Sequence, residues 1–321
     1  MKIVTSIKRS ALRRGLCTFF VGASALWASA GNIQAGNVVW ETQPAINGRL
    51  STYGVGKYKA TGGTINAHFI PEEPWIGGIL AAGDILYVAT ELVPEGQSGQ
   101  FVIATYNPKK GAVINFDFFA YKQGVQYNPA GMALSGTNLY VANYEEDSIA
   151  KIDTTTGGGN ADFIKVGDVN GIAYPYALAI KGNILYVTNN YGDSNGKVYI
   201  SEYDATSGAQ INPLFIELPL TGLYGLAVKG DILYVSVFGG NSGIPTGVYT
   251  YNATTGALIK GPFVSVDEPW GITIVDDTLY VASYHDFVIY EFNATTGKKL
   301  SDSITLNYEP INITAEPAIK Q

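Results

Sequence analysis

A phrase built on Leu-Tyr-Val occurs five times in this chain, and its spacing limits what the chain can fold into. The copies are GDILYVAT at Gly83, GTNLYVAN at Gly136, GNILYVTN at Gly182, GDILYVSV at Gly230 and DDTLYVAS at Asp276. Their tyrosines, Tyr87, Tyr140, Tyr186, Tyr234 and Tyr280, stand 53, 46, 48 and 46 residues apart. A second phrase trails each copy: YNPKKGAVI, IDTTTGGGN, YDATSGAQI, YNATTGALI and FNATTGKKL. A period of about 40–50 residues that contains only strand signals is the mark of propeller blades.

One period shows why. YALAI and ILYVTNN are apolar runs joined by Gly182-Asn183, a pair suited to a two-residue hairpin turn. They are apolar throughout, as strands covered on both faces must be. KVYISEYD alternates and predicts a third strand. DATSG closes the next hairpin, with Asp204 bonding back to its own turn and Gly208 supplying a positive φ. AQINPLFIEL is the outer strand, and PLTGLYG crosses to the next blade. Residues 38–70 supply three strands without an innermost one, and YEPINITAEPAIK supplies an innermost strand at the other end. The expectation is an all-β, six-bladed β-propeller of four-stranded antiparallel blades. Its ring is closed by a C-terminal strand joining the N-terminal blade, which removes an open sheet edge.

The first thirty residues read differently. Lys2, Lys8, Arg9, Arg13 and Arg14 precede an apolar stretch, GLCTFFVGASALWASA, that ends in small residues. This is the pattern of a signal peptide over residues 1–30, with a second small-residue site near Ala35, followed by a single propeller domain over 36–321. It predicts an extracytoplasmic protein, periplasmic or secreted. Removing residues 1–30 takes away the only cysteine and moves the formal charge from −7 to −12. A chain so acidic has no electrostatic footprint for nucleic acid, and nothing in it calls for membrane insertion. A monomer is expected.

The repeated phrases resemble the NHL-repeat family of propellers: YPYALAIKGNILYVTNN, YNPAGMALSGTNLYVANYEEDSIAKIDTTTG and EPWGITIVDDTLYVASYHDFVIYEFNATTG all follow its blade pattern. The resemblance covers residues 38–318 and implies the fold. It leaves activity open, because NHL propellers range from interaction modules to lyases and the SMP-30/gluconolactonase group contains metal-dependent lactonases.

Candidate functional residues are few. His285, beside Asp286, could act as a base or ligand or simply turn a loop; His68 reads as structural. A lactonase-type site needs several oxygen ligands converging on a hard cation. Here Glu91, Asn143, Asn189 and Asn312 could at most hold a calcium ion weakly, and no cofactor is otherwise implied. The inter-blade loops say more. They place Trp75, Tyr127, Tyr174, Tyr176, Tyr224, Trp270 and Tyr308 on one face, with Glu72, Glu73, Asp267, Glu268 and Glu309 among them. Rings beside carboxylates suit a small ligand, a glycan or a protein partner, although each ring could equally plug a blade joint. The leading expectation is therefore a binding module. The alternatives are a lactonase-type metal-dependent hydrolase and a lyase with His285 as base.

Overall fold

The computed structural model describes residues 38–43, 53–60, 63–73, 75–92, 99–167, 173–191, 193, 195–219, 221–239, 243–307 and 309–316. The signal-peptide reading of residues 1–30 and the candidate Tyr308 lie outside them. Among the described residues, 24 strands form six four-stranded antiparallel sheets, and no residue is helical. Five sheets are made of consecutive strands: blade 1 over residues 76–120, blade 2 over 129–165, blade 3 over 173–219, blade 4 over 226–264 and blade 5 over 269–305. Blade 6 is split. Strands Val38–Gln43, Tyr53–Lys59 and Gly63–Glu73 are completed by Ile313–Glu316, with Trp40 opposite Thr314. The expected six-bladed ring, closed by its own C-terminal strand, is thus the observed fold. The innermost strands touch in circular order, blade 6 meeting blade 1.

The turns form for the reasons their residues suggest. Gly83, Gly136, Gly182 and Gly230 open the inner hairpins with φ between 58° and 61°, in the left-handed region where a side chain is strained. Blade 5 has Asp276 there, at φ 53°. In the outer turn of blade 3, Asp204 Oδ1 accepts the amides of Thr206 and Ser207 at 3.0 and 2.7 Å.

The two repeated phrases meet each other. Tyr140 Oη donates to the Ala205 carbonyl of the next blade at 2.6 Å, Tyr186 to Ala253 at 2.5 Å, and Tyr234 to Ala294 at 2.7 Å. The tyrosine of one Leu-Tyr-Val phrase therefore stitches its blade to the alanine of the following blade's outer turn. A buried phenol needs an acceptor and a buried turn carbonyl needs a donor, so the phrases recur together.

The third strands depart from expectation. Alternation is expected along KVYISEYD, yet the adjacent polar residues Ser201 and Glu202 are both buried along with the apolar residues around them. Both faces of the strand pack on neighbouring blades, and exposure falls instead on the outermost strands, where Val113, Ile114, Ile211, Leu258 and Ile259 face solvent.

Candidate functional site

Each innermost strand is entered through the same two positions. The second of them is Gly78, Gly131, Ala177, Gly225, Gly271 and Asn312 in blades 1 to 6, immediately before the residues paired with the next strand. It is small because the backbones nearly touch. A Cβ on Gly131 would lie 2.5 Å from the Tyr176 carbonyl oxygen, and one on Gly271 2.6 Å from that of Ile311. Asn312 has the one large side chain in this ring, and its Nδ2 donates to the Gly77 carbonyl at 3.1 Å, linking blade 6 to blade 1.

The position just before this ring is not uniform. Blades 3, 4 and 5 carry Tyr176, Tyr224 and Trp270, whereas blades 1, 2 and 6 carry Gly77, Ala130 and Ile311. The three aromatic residues touch. Tyr224 stacks on Trp270 with centroids 4.1 Å apart at 13°, and Tyr176 meets Tyr224 edge-on at 5.1 Å. Trp270 Nε1 donates to Tyr176 Oη at 2.9 Å. Burial, only partly offset by that hydrogen bond, pushes the Tyr176 phenol far above its ordinary pKa, so the hydroxyl stays protonated.

A second tier of rings comes from the residue that follows each Leu-Tyr-Val phrase by three. It is Tyr144 in blade 2, Phe238 in blade 4 and Tyr284 in blade 5. Tyr144 stacks on Tyr174 at 4.8 Å and meets Tyr176 edge-on at 6.0 Å; Tyr284 lies 5.0 Å from Trp270. Tyr174 itself has φ 59°, and its amide donates to Asp147 Oδ1 at 2.7 Å.

Where the aromatic half of the mouth faces the small half there is a cavity of about 240 Å³. It is lined by Trp75, Tyr144, Tyr176 and Trp270 above Gly77, Ala130, Ile311 and Asn312. Trp75 enters from two positions earlier than the other rings, and Gly77 leaves room for it: a Cβ there would lie 2.3 Å from the indole. A smaller hollow of about 50 Å³ lies among the inner strands, with Asn312 common to both.

Carboxylates stand near the second-tier rings. Burial chiefly, and then Glu309 and Glu268, raise the Tyr284 phenol; burial, Tyr224, Glu145, Tyr174 and Asp147 raise that of Tyr144. Lys165, on an outermost strand, and Lys197, on a third strand, are already paired with Asp162 and Glu217.

The structure sorts the sequence candidates. Trp75, Tyr176, Tyr224 and Trp270 gather at the cup. Tyr127 is 4% exposed and packs on Tyr121 at 4.7 Å in the joint between blades 1 and 2. His285 lies at the rim, exposed, with Nδ1 3.4 Å from both Asp267 Oδ2 and Asp286 Oδ1. Asp286 also accepts from Tyr290 Oη at 2.9 Å. Phe238 stands out in the sequence as a divergent residue just after its Leu-Tyr-Val phrase, and Tyr144 and Tyr284 are the rings the sequence candidates did not include.

Of the candidate calcium ligands, Asn143 and Asn189 are held within their own blades, whereas Asn312 bonds across to blade 1. Asn143 Nδ2 donates to Ser148 Oγ and the Ala161 carbonyl, and Asn189 Nδ2 to Ser201 Oγ. Among the described residues no group of three or more His, Cys, Asp or Glu is arranged to hold a metal.

No family model matches the chain, and no curated protein is significantly similar to it. Solved structures do match. A chain of a nidogen/laminin complex superposes with a TM-score of 0.61 at 14% identity, over 89% of this chain and 100% of that one. A Bacteroides uniformis protein, named provisionally as a 6-phosphogluconolactonase, superposes with a TM-score of 0.57 at 15% identity, over 88% and 100%. At these identities the likeness establishes the fold alone: the chain is a six-bladed β-propeller.

Proposed function

We propose that this protein is an extracytoplasmic, NHL-like propeller that works as a binding module, with the aromatic cup at the channel mouth as its ligand site. One observation carries the reading. Where the packing problem repeats, this chain repeats its residues, as the Leu-Tyr-Val phrase shows. At the strand-entry position it does not: three consecutive blades carry Tyr176, Tyr224 and Trp270, and the facing three carry Gly77, Ala130 and Ile311. That divergence opens a concave, ring-walled hollow on an otherwise tightly filled axis, which is how small-ligand sites are built. Similar folds in a nidogen/laminin complex and in a lactonase-named protein make binding and catalysis both accessible to this architecture. Binding is favoured here because the cup's rings touch one another, while Asn143 and Asn189 turn to partners within their own blades.

Ligand-observed NMR against a library of small solutes tests the site. Solutes that bind the native protein should lose their signal in Ala130→Leu, which obstructs the cavity without replacing a ring. Hits that persist unchanged in that variant would place the ligand elsewhere and end the proposal.

A further inference from the structure

The cup's lining also restricts what it can hold. A sugar ring brings several hydroxyl groups, each of which needs a partner once it leaves water. The cup has few to offer. Trp270 Nε1 is committed to Tyr176 Oη, and Asn312 Nδ2 to the Gly77 carbonyl. The remaining lining is Ile76, Gly77, Pro129, Ala130 and Ile311, with Asn128 as its one polar side chain besides Asn312 and four aromatic rings as the walls. An anion would meet Glu145, Asp147, Glu268 and Glu309 around the mouth with no lysine to offset them among the described lining residues. A group that carries positive charge, has an apolar surface and demands no hydrogen bonds meets none of these objections. Aromatic walls attract such a cation through their ring quadrupoles, most strongly when the site excludes water. A volume of about 240 Å³ leaves room for a trimethylammonium head and a short tail.

We propose that the cup binds a quaternary ammonium group. This rests on the cup being the ligand site and adds the chemistry of its ligand. The rings Trp75, Tyr144, Tyr176 and Trp270 enclose the methyl groups, while Glu268 and Glu309 supply the long-range attraction. The group could arrive on a free solute or on a lipid headgroup, and the two sources can be separated.

Isothermal titration of the full chain with choline, and with its neutral isostere 3,3-dimethylbutan-1-ol, tests the charge requirement. Choline should bind about tenfold or more tightly than the isostere, and raising the salt concentration should weaken choline alone. Glu268→Gln combined with Glu309→Gln should weaken choline and leave the isostere unchanged. Ala130→Leu should abolish both, with melting temperature confirming that each variant is folded. Sedimentation with phosphatidylcholine vesicles decides the source: cosedimentation lost in Ala130→Leu assigns the headgroup, and its absence alongside choline binding assigns the free solute. Equal affinity for choline and the isostere would overturn the cationic assignment while leaving the site in place. Binding of neither would overturn the assignment outright, and the site itself is then judged by the library screen with Ala130→Leu.

Discussion

Replacing Tyr186 by phenylalanine isolates the stitch between blades. The ring is 2% exposed and packs in the joint between blades 3 and 4, so phenylalanine keeps its contacts. Only the hydroxyl goes, and with it the 2.5 Å hydrogen bond to the Ala253 carbonyl in a turn whose alanine is 1% exposed. Leaving a buried acceptor without its donor costs about 1–3 kcal/mol. Unfolding entropy of about 2.1 cal/mol/K per residue gives about 0.6 kcal/mol/K for a propeller of about 280 residues, so the melting temperature should fall by about 2–5 °C. Tyr140→Phe and Tyr234→Phe remove equivalent bonds in other joints, and the triple variant should lose close to the sum. Alkaline pH provides a second readout. Burial first, then Glu202 and Asp231, push the Tyr186 phenol up to about 12 from 10.0. A raised pKa in the folded state means the contribution is complete below about pH 10 and is lost as pH rises through about 12. Tyr186→Phe should flatten that part of the stability profile. Calorimetric melts from neutral to alkaline pH measure both effects. An unchanged melting temperature, or an alkaline profile identical to that of the native protein, would refute the stitch.

Three further outcomes follow from the same geometry. Gly131→Ala should destabilise by about 2 kcal/mol or more in urea titration, because its Cβ would lie 2.5 Å from the Tyr176 carbonyl oxygen and 2.9 Å from Ala177 Cα. Asp276→Gly should stabilise by about 1 kcal/mol in the same assay, since it relieves φ 53° at the position where four other blades use glycine. Asp204 is held below its usual 3.8 mainly by the Ser207 amide. Its depressed pKa means that its support of the turn is present above about pH 4 and is lost as pH falls below that. Asp204→Asn, the residue type blades 4 and 5 use at this place, should keep the turn and remove that acid dependence, as read by thermal melts from neutral pH downward.

Most of the fold was written in the repeats. Apolar runs, turn pairs and the misplaced innermost strand each have a local cause, so the blades, their number and the split closure could be read from residues 38–70 and 313–316. The third strand is expected to alternate, but KVYISEYD sets Ser201 directly beside Glu202 and buries both, because a blade packs on both faces. The site was half legible. Tyr176, Tyr224 and Trp270 share one position in the period and were found. Tyr127 belongs to the same class of loop but falls beneath the mouth, in the joint with Tyr121. Phe238 stands out when the copies are lined up just after each Leu-Tyr-Val phrase; Tyr144 and Tyr284 occupy the same position in the period and complete the second tier. The void could not be read, since it depends on which blades face each other across the axis.

The central claim is that the asymmetric mouth is a ligand site rather than a packing accident. A crystal of this protein soaked with a cocktail of small organic fragments, including quaternary ammonium compounds, tests it most directly. The account predicts ligand density between Trp75, Tyr144, Tyr176 and Trp270, above Gly77 and Ala130. Fragments that cluster elsewhere on the propeller while the cup holds only water would contradict it.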